Sequence, residues 1–309
     1  MRKPRESTGN KLFNGGRYGL AMGLTPLEPE EWLAPDASLR ETLGMKRDLL
    51  ATRRDDVFRA LPEAELAATE LLDLLVSHLT RCFPAFYRRD GGQIVNLASG
   101  EAWRIPAPPH HPLDIAGRLV AEDLCLMQES GSGYRLTAAS LCFPNRWQLA
   151  AKLGQPLDAI HAPVPGYAPP LASPVAHFFG ALKPGRIVAR VNWGIADDPV
   201  LFQPTGRDAA GTIDPARAGQ ELWLRVEQQT LRRLPQTGAV LFTIRTAVTR
   251  LDEAICSAHD ARDLGAAIRD MSPAMLQYKH LAAVAPALLA WLDARAHQHD
   301  ARGISACAS

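Results

Sequence analysis

The sequence predicts an α+β fold with its helices and strands in separate blocks. Three observations carry this. Helical periodicity dominates residues 38–82. Short apolar runs bounded by turn residues dominate residues 91–249, and helical periodicity returns after 250. Blocks of this kind argue against a sheet built by strict alternation of strand and helix. The expected organisation is an N-terminal arm with helices (1–90), a strand-rich core (91–249) and a C-terminal helical region (250–309).

Each element has its own signal. Residues 1–36 carry many Pro and Gly and should wrap the surface, with Trp32 as an anchor. Ser38–Ala51 and Pro62–Cys82 read as helices. In the second, Leu66, Leu71, Leu72, Leu75, Val76 and Leu79 share one broad face, and His78 is a core or rim residue. Ile94–Leu97, Ala102–Ile105, Leu124–Gln128 and Tyr134–Phe143 read as strands. Gly131-Ser132-Gly133 should connect the last two as a hairpin. It begins like GxGxxG, but no third glycine follows and no helix opens there, so a dinucleotide fingerprint is rejected. Asn145 is placed to cap a helix over Arg146–Leu153 that Gly154 ends. Ser173-Pro174 opens another, stopped by Lys183-Pro184-Gly185. Arg186–Ile195, Glu221–Glu227 and Ala239–Ala247 complete the strands, with Gln229–Leu234 as a possible extension. Residues 196–219 form a long loop, a length often found over a functional site. The tail reads as helices over 250–259, 261–270 and 273–299.

Composition excludes several classes. A net charge of +1 leaves no electrostatic footprint for nucleic acid or an anionic membrane. Cys82, Cys125, Cys142, Cys256 and Cys307 are scattered without CxxC, so no zinc ribbon or iron–sulfur motif is encoded, and the pattern suits a reducing compartment. The basic N-terminus lacks an apolar run, and Leu281–Leu292 is too short to span a bilayer and contains Pro286. A cytoplasmic setting is expected. No GxSxG, Walker A or HExxH pattern occurs.

The candidate chemistry centres on His161. It lies in Ile160-His-Ala-Pro-Val-Pro165, where Pro163 and Pro165 fix φ and remove two donors. Ala162 and Val164, each before a proline, are expected to be extended. A histidine held this way loses little freedom on binding, and neutral imidazole is a common metal ligand. The plainer alternative, an ordinary histidine at a helix end, is the commoner outcome. His177, in Val175-Ala-His-Phe-Phe179, is a second candidate, although a partly buried structural role is commoner there. His110-His111 precedes Pro112 and reads as exposed. Arg225 and Glu227 alternate onto one strand face, either as a structural ion pair or as a carboxylate that holds a cation or passes protons. Arg146 and Arg190 lie near strand ends, where a guanidinium suits carboxylate recognition.

Phe143-Pro-Asn-Arg-Trp147, Lys152-Leu-Gly154, the His161 segment, Arg190-Val-Asn-Trp193, Leu224–Pro235 and Gly238–Thr246 occur in that order. With Gly23-Leu-Thr-Pro26, Trp32 and Gln277-Tyr-Lys279, this set resembles the haem-dependent oxidative N-demethylase alpha subunit family (DUF3445), which includes the dimethylamine monooxygenase haem subunit. The resemblance spans residues 14–290 and implies a PAS-like antiparallel sheet binding haem b, with additional N- and C-terminal helices. It implies demethylation of a small secondary amine such as dimethylamine with O₂, giving a carbinolamine that collapses to amine and formaldehyde. His161 is the implied haem-iron ligand, and Arg146, Trp147 and Arg190 are cofactor-binding candidates. Glu227 and Arg225 are the catalytic candidates. FMN, [2Fe-2S] and NADPH are expected on a partner reductase subunit, and a tetrahydrofolate-binding subunit is a further partner. One departure is Ala247, where the resemblance leads one to expect an aromatic residue. The alternatives are a haem-based gas or redox sensor without turnover and a haem-free structural subunit.

Overall fold

The computed structural model describes residues 12–302, apart from 20–21, 106–108, 132, 168–170 and 206–212. The chain opens with a short strand β1 (Thr25–Pro26), then helix α1 (Leu39–Thr52), the single turn α2 (Arg54–Val57) and strand β2 (Phe58–Ala60). Helix α3 (Glu65–Cys82) buries Leu71, Leu72, Leu75, Val76 and Leu79 along the face its periodicity predicts. Leu66 turns outward and is exposed. Strands β3 (Tyr87–Asp90), β4 (Gln93–Asn96) and β5 (Ala102–Arg104) form a small sheet of their own.

Helix α4 (Pro112–Leu119) escapes the periodicity reading because its eight residues span little more than two turns; it buries Leu113, Asp114, Ile115, Ala116, Gly117 and Leu119. His111 is its cap and not the exposed residue expected. Its Nδ1 accepts from the Leu113 N–H at 3.1 Å, and its Nε2 lies 3.1 Å from Glu65.

The hairpin β6 (Asp123–Ser130) and β7 (Gly133–Ser140) follows, then short helices α5 (Leu149–Lys152), α6 (Leu157–His161) and α7 (Ala172–Ala181). Strand β8 (Ile187–Ala196), the turn α8 (Ala218–Glu221) and the long strands β9 (Trp223–Arg233) and β10 (Val240–Arg250) come next. The extension suggested by Gln229–Leu234 is thus part of β9 up to Arg233. The tail comprises α9 (Leu251–Ala254), α10 (Ala258–Arg269), α11 (Pro273–Tyr278) and α12 (Ala285–Arg302).

Three expectations are corrected. Asn145 does not cap a helix: Arg146 has φ +60°, its N–H donates to Gln203 O at 2.6 Å, and α5 starts only at Leu149. Ala162 is helical (φ −51°, ψ −35°) despite preceding Pro163, since it continues the turn of α6. The tail breaks where Ser257 caps α10 and where His280 adopts φ +55°.

The main sheet has the order β1-β8-β9-β10-β6-β7-β2, and every neighbouring pair is antiparallel. The protein is therefore α+β with a large antiparallel sheet. Alternation divides the sheet into two faces. On the back face, Leu124, Leu126, Ile187 and Leu241 pack with Trp32, α1, α3 and α4. Further along the same face, Trp193, Ile195, Leu224 and Val226 pack with α10 and α12. Trp32, fully buried, donates its indole N–H to Thr230, which bonds Thr243 across the ladder. Glu70 of α3 accepts the N–H groups of Gln236 and Thr237 and so ties the β9–β10 turn to the helix layer. On the front face, Cys125, Met127, Leu136, Leu231, Val240 and Ile244 pack under Leu149, Phe179 and Leu182. The back is covered by long helices, while α5–α7 roof the front with one to three turns each. Among the described residues no helix is long and apolar enough to cross a membrane.

Candidate functional site at the front of the sheet

The front face changes character along its strands. Toward the β6–β7 hairpin it is apolar. Toward the opposite end, Arg190, Asn192, Arg225, Glu227, Gln229 and Thr246 share the face, because Arg190 pairs with Gln229, and Asn192 and Thr246 both pair with Glu227. The sequence reading found Arg190, Arg225 and Glu227. It missed Asn192 and Gln229, although period-two alternation about Glu227 marks Gln229 directly.

Glu227 is the hub of this strip. Its Oε2 accepts from Asn192 Nδ2 at 3.2 Å and from Gln229 Nε2 at 3.0 Å, and its Oε1 lies 3.4 Å from Arg225 Nε. Arg225 is almost wholly buried and also donates to Phe143 O at 2.6 Å and Leu201 O at 3.1 Å. Those carbonyls make it a tie between β9 and two loops, so it serves Glu227 from behind. Arg190 differs: its Nε is buried and has no partner among the described residues. Burial pushes its guanidinium below the ordinary range, with Glu227 acting in the opposite direction. Thr246 Oγ1 is likewise buried, with no partner among the described residues.

His161 ends α6 in the roof. Its Nδ1 lies 2.8 Å from the Leu157 carbonyl, so the N–H on that nitrogen donates to the helix's own last turn. The ring stacks on Tyr167, with centroids 4.8 Å apart and planes 16° apart. Burial lowers its pKa; the Leu157 hydrogen bond opposes this, while the charges of Lys152 and Arg190 add to it. The result is a neutral imidazole in a fixed tautomer, with Nε2 free of any described partner and Arg190 close enough to act on it. Tyr167 Oη is also buried, with no partner among the described residues. Tyr167 was missed, and no spacing rule singles it out.

The other candidates are placed as follows. Trp147 packs against the apolar half of the face, with Lys152 Nζ 5.1 Å from its ring centroid. Arg146 is ion-paired to Asp197 at 2.7 Å, beside a cleft of about 220 Å³ that includes Phe202 and Gln203 and not His161 or Glu227. His177 lies on the exposed side of α7, whose Phe178 and Phe179 turn inward. Ala247 is exposed and belongs to the back face, so its departure from the expected aromatic does not touch this site. Three residues absent from the sequence reading of the site reach its open β8 edge: Tyr18, Tyr278 and Lys279 all interact with Arg190, Glu227 or both.

A haem requires an axial donor, an apolar wall and cations for its propionates. His161 Nε2, the apolar half-face and the unpartnered Arg190 Nε supply these three elements, so the residues present fit the group. The fold is α+β with a large antiparallel sheet, and His161 in the roof and Arg190 and Glu227 on the front strip are the candidate site residues. The chain belongs to the haem-dependent oxidative N-demethylase, alpha subunit-like family, whose model matches residues 23–289.

Proposed function

We propose that this chain is the haem-binding subunit of an oxidative N-demethylase acting on a small secondary amine such as dimethylamine. The observation that carries the reading is His161: a neutral imidazole whose Nδ1–H is fixed to Leu157 O and whose Nε2 is left for iron. The strand run β8-β9-β10-β6-β7, with α5–α7 across one face, supports the PAS-like description. Arg190 would meet a propionate, and Trp147 would form part of the apolar wall. Arg146, already neutralised by Asp197, is the weaker propionate partner.

When bound, haem b supplies O₂ activation and oxygen transfer to an N-methyl carbon. The overall conversion takes dimethylamine, O₂, two electrons and two protons to methylamine, formaldehyde and water. The electrons are proposed to come from NADPH through FMN and [2Fe-2S] on a partner reductase subunit, and a tetrahydrofolate-binding subunit would accept formaldehyde. The alpha-subunit description of the family supports the presence of partners.

The chain's own residues have defined tasks. Dimethylamine is a cation at neutral pH, and the Glu227 carboxylate is the group on the front strip suited to hold its N–H. Asn192, Gln229 and Arg225 fix that carboxylate through three donors, so little reorganisation accompanies binding. As the carbinolamine collapses, Glu227 can take the hydroxyl proton and return one to nitrogen. The roof helices α5–α7 keep bulk water from the apolar half of the face.

His161→Ala tests the reading. The variant should fold, fail to hold stoichiometric haem and lose the Soret band of the reconstituted protein. An unchanged spectrum in this variant, with haem lost in His177→Ala, would transfer the ligand to His177.

A further inference from the structure

The open edge of β8 carries a cation site that the protein fills itself. Beyond Ala189, where β1 stops pairing, no further strand of the described residues pairs with β8 on that side. Lys279, at the end of α11, covers this edge. Its ammonium donates to Trp193 O at 2.8 Å and sits 5.4 Å from the Trp193 ring centroid and 5.7 Å from that of Tyr18. A carbonyl and two aromatic rings around one ammonium form the environment in which proteins bind alkylammonium ligands. Tyr18 is held there by its own N–H, which donates to Asp270 at 3.0 Å. Trp193 is backed by Phe13 in an edge-on contact at 5.4 Å.

The same ammonium lies within electrostatic reach of Glu227, which attracts it, and of Arg190, which repels it. Tyr278 also feels Glu227. Burial pushes the Lys279 ammonium down to about 8, with Glu227 acting against this. Two cation-attracting places therefore lie within electrostatic reach of each other: the Glu227 carboxylate on the front strip and the Tyr18–Trp193 pair at the β8 edge, and the second is occupied by the chain.

We infer that Lys279 is a specificity-determining residue: its ammonium fills the Tyr18–Trp193 site at the β8 edge, one strand from Glu227, and leaves the carboxylate as the place for one small ammonium. This rests on Glu227 as the amine-holding group. A bulky quaternary cation or a diamine would need the space and charge that Lys279 occupies. Removal of Lys279 vacates an aromatic site and leaves the neighbouring carboxylate with one less competing cation. The variant should therefore accept cations that the native chain rejects.

The experiment is calorimetric titration of the full-length chain with tetramethylammonium chloride and, separately, with dimethylammonium chloride. Lys279→Ala should bind tetramethylammonium at least about tenfold more tightly than the native chain, the scale of one desolvated cation–π contact. Tyr18→Leu added to that variant should remove the gain, and Lys279→Arg should behave as native. Should Lys279→Ala fail to fold, Lys279→Gln, which can still donate to Trp193 O, carries the same expectation. Equal binding by native and folded variant chains, or a gain that survives Tyr18→Leu, overturns the inference. Dimethylammonium binding that is unaffected by Glu227→Gln defeats the reading of Glu227 instead, and the two failures are thus distinct.

Discussion

Glu227→Gln removes a charge and one acceptor oxygen and turns an amide NH₂ toward a ring of donors. Asn192 Nδ2, Gln229 Nε2 and Arg225 Nε all point at the carboxylate, at 3.2, 3.0 and 3.4 Å. A glutamine has one oxygen for these donors, so at least one buried donor is left facing another. Such a loss costs about 1–3 kcal/mol. Removing one partner of a buried ion pair can cost about 3–5 kcal/mol. Arg225 escapes that fate, because the Phe143 and Leu201 carbonyls still hold its guanidinium at 2.6 and 3.1 Å. The lower range is therefore expected, read as the shift in urea unfolding followed by circular dichroism. Loss of proton handling should slow turnover by about 10²–10⁴. The assay is formaldehyde release with amine and a chemical reductant, at haem occupancy matched by Soret absorbance. Native turnover in a folded, haem-loaded variant would refute the role of Glu227, and joint loss of haem and fold would make the Arg225–Glu227 pair structural.

Two further predictions concern the frame around the site. Gly117 lets α4 lie against β7, and a Cβ there would meet Ser140 Oγ at 2.1 Å, so Gly117→Ala should destabilise by about 1–3 kcal/mol through overpacking; an unchanged urea midpoint would refute this contact. Asp123 is fully buried, and burial pushes its carboxyl from 3.8 up to about 6 against the pull of Lys46 and the Cys142 and Phe143 N–H groups. A folded value above the unfolded one gives a stability contribution present below the unfolded value and lost as pH rises through about 6. Urea midpoints should carry that downward component between pH 4 and 7, and Asp123→Asn should remove it; a variant with the native pH slope would sink the assignment.

How much was legible in the sequence depended on where each element's burial pattern came from. Helices α1 and α3 announce themselves because one face is apolar and the other is not, and strands β6–β10 because they are apolar runs bounded by turn residues. Helix α4 hides because its eight residues give little more than two turns of pattern. Strands β1 and β2 have two and three residues, too few to show alternation, and exist because tertiary partners supply their ladders. The Arg225–Glu227 contact was readable from spacing alone, since residues two apart on a strand must share a face. Asn192 joins them through cross-strand register, which spacing within one strand does not encode. Tyr167 and the Tyr18–Lys279 contacts arise where distant segments converge. Arg146 was misread as helical because Asn145 is a good cap type, but a hydrogen bond to Gln203, across the long loop, sets its backbone instead.

The asymmetry of the two faces explains why the candidate site lies at the front. Long helices with apolar stripes bury the back, and its buried polar groups are mostly internal pairs: Trp32 with Thr230, Thr230 with Thr243, and His78 with the Trp32 carbonyl at 2.9 Å. Short helices cannot cover a strip of charged and amide side chains in the same way, because a helix of one or two turns offers few side chains and has unpaired backbone groups at both ends. At the front, Arg190 Nε and Thr246 Oγ1 on the strip and Tyr167 Oη beside His161 are buried without partners among the described residues, and others of this kind lie elsewhere, such as Arg232 Nε beside Trp32 and Asn96 Nδ2 and Trp103 Nε1 in the small sheet. Buried polar groups in folded proteins are nearly always satisfied, so the three at the front are positions where a further partner can be accommodated. The same roof presents His161 with its free nitrogen. A sheet that spends its long helices on one face keeps the other adjustable, and here that face carries the acceptor, the donor and the imidazole that a bound prosthetic group and a small cation would need.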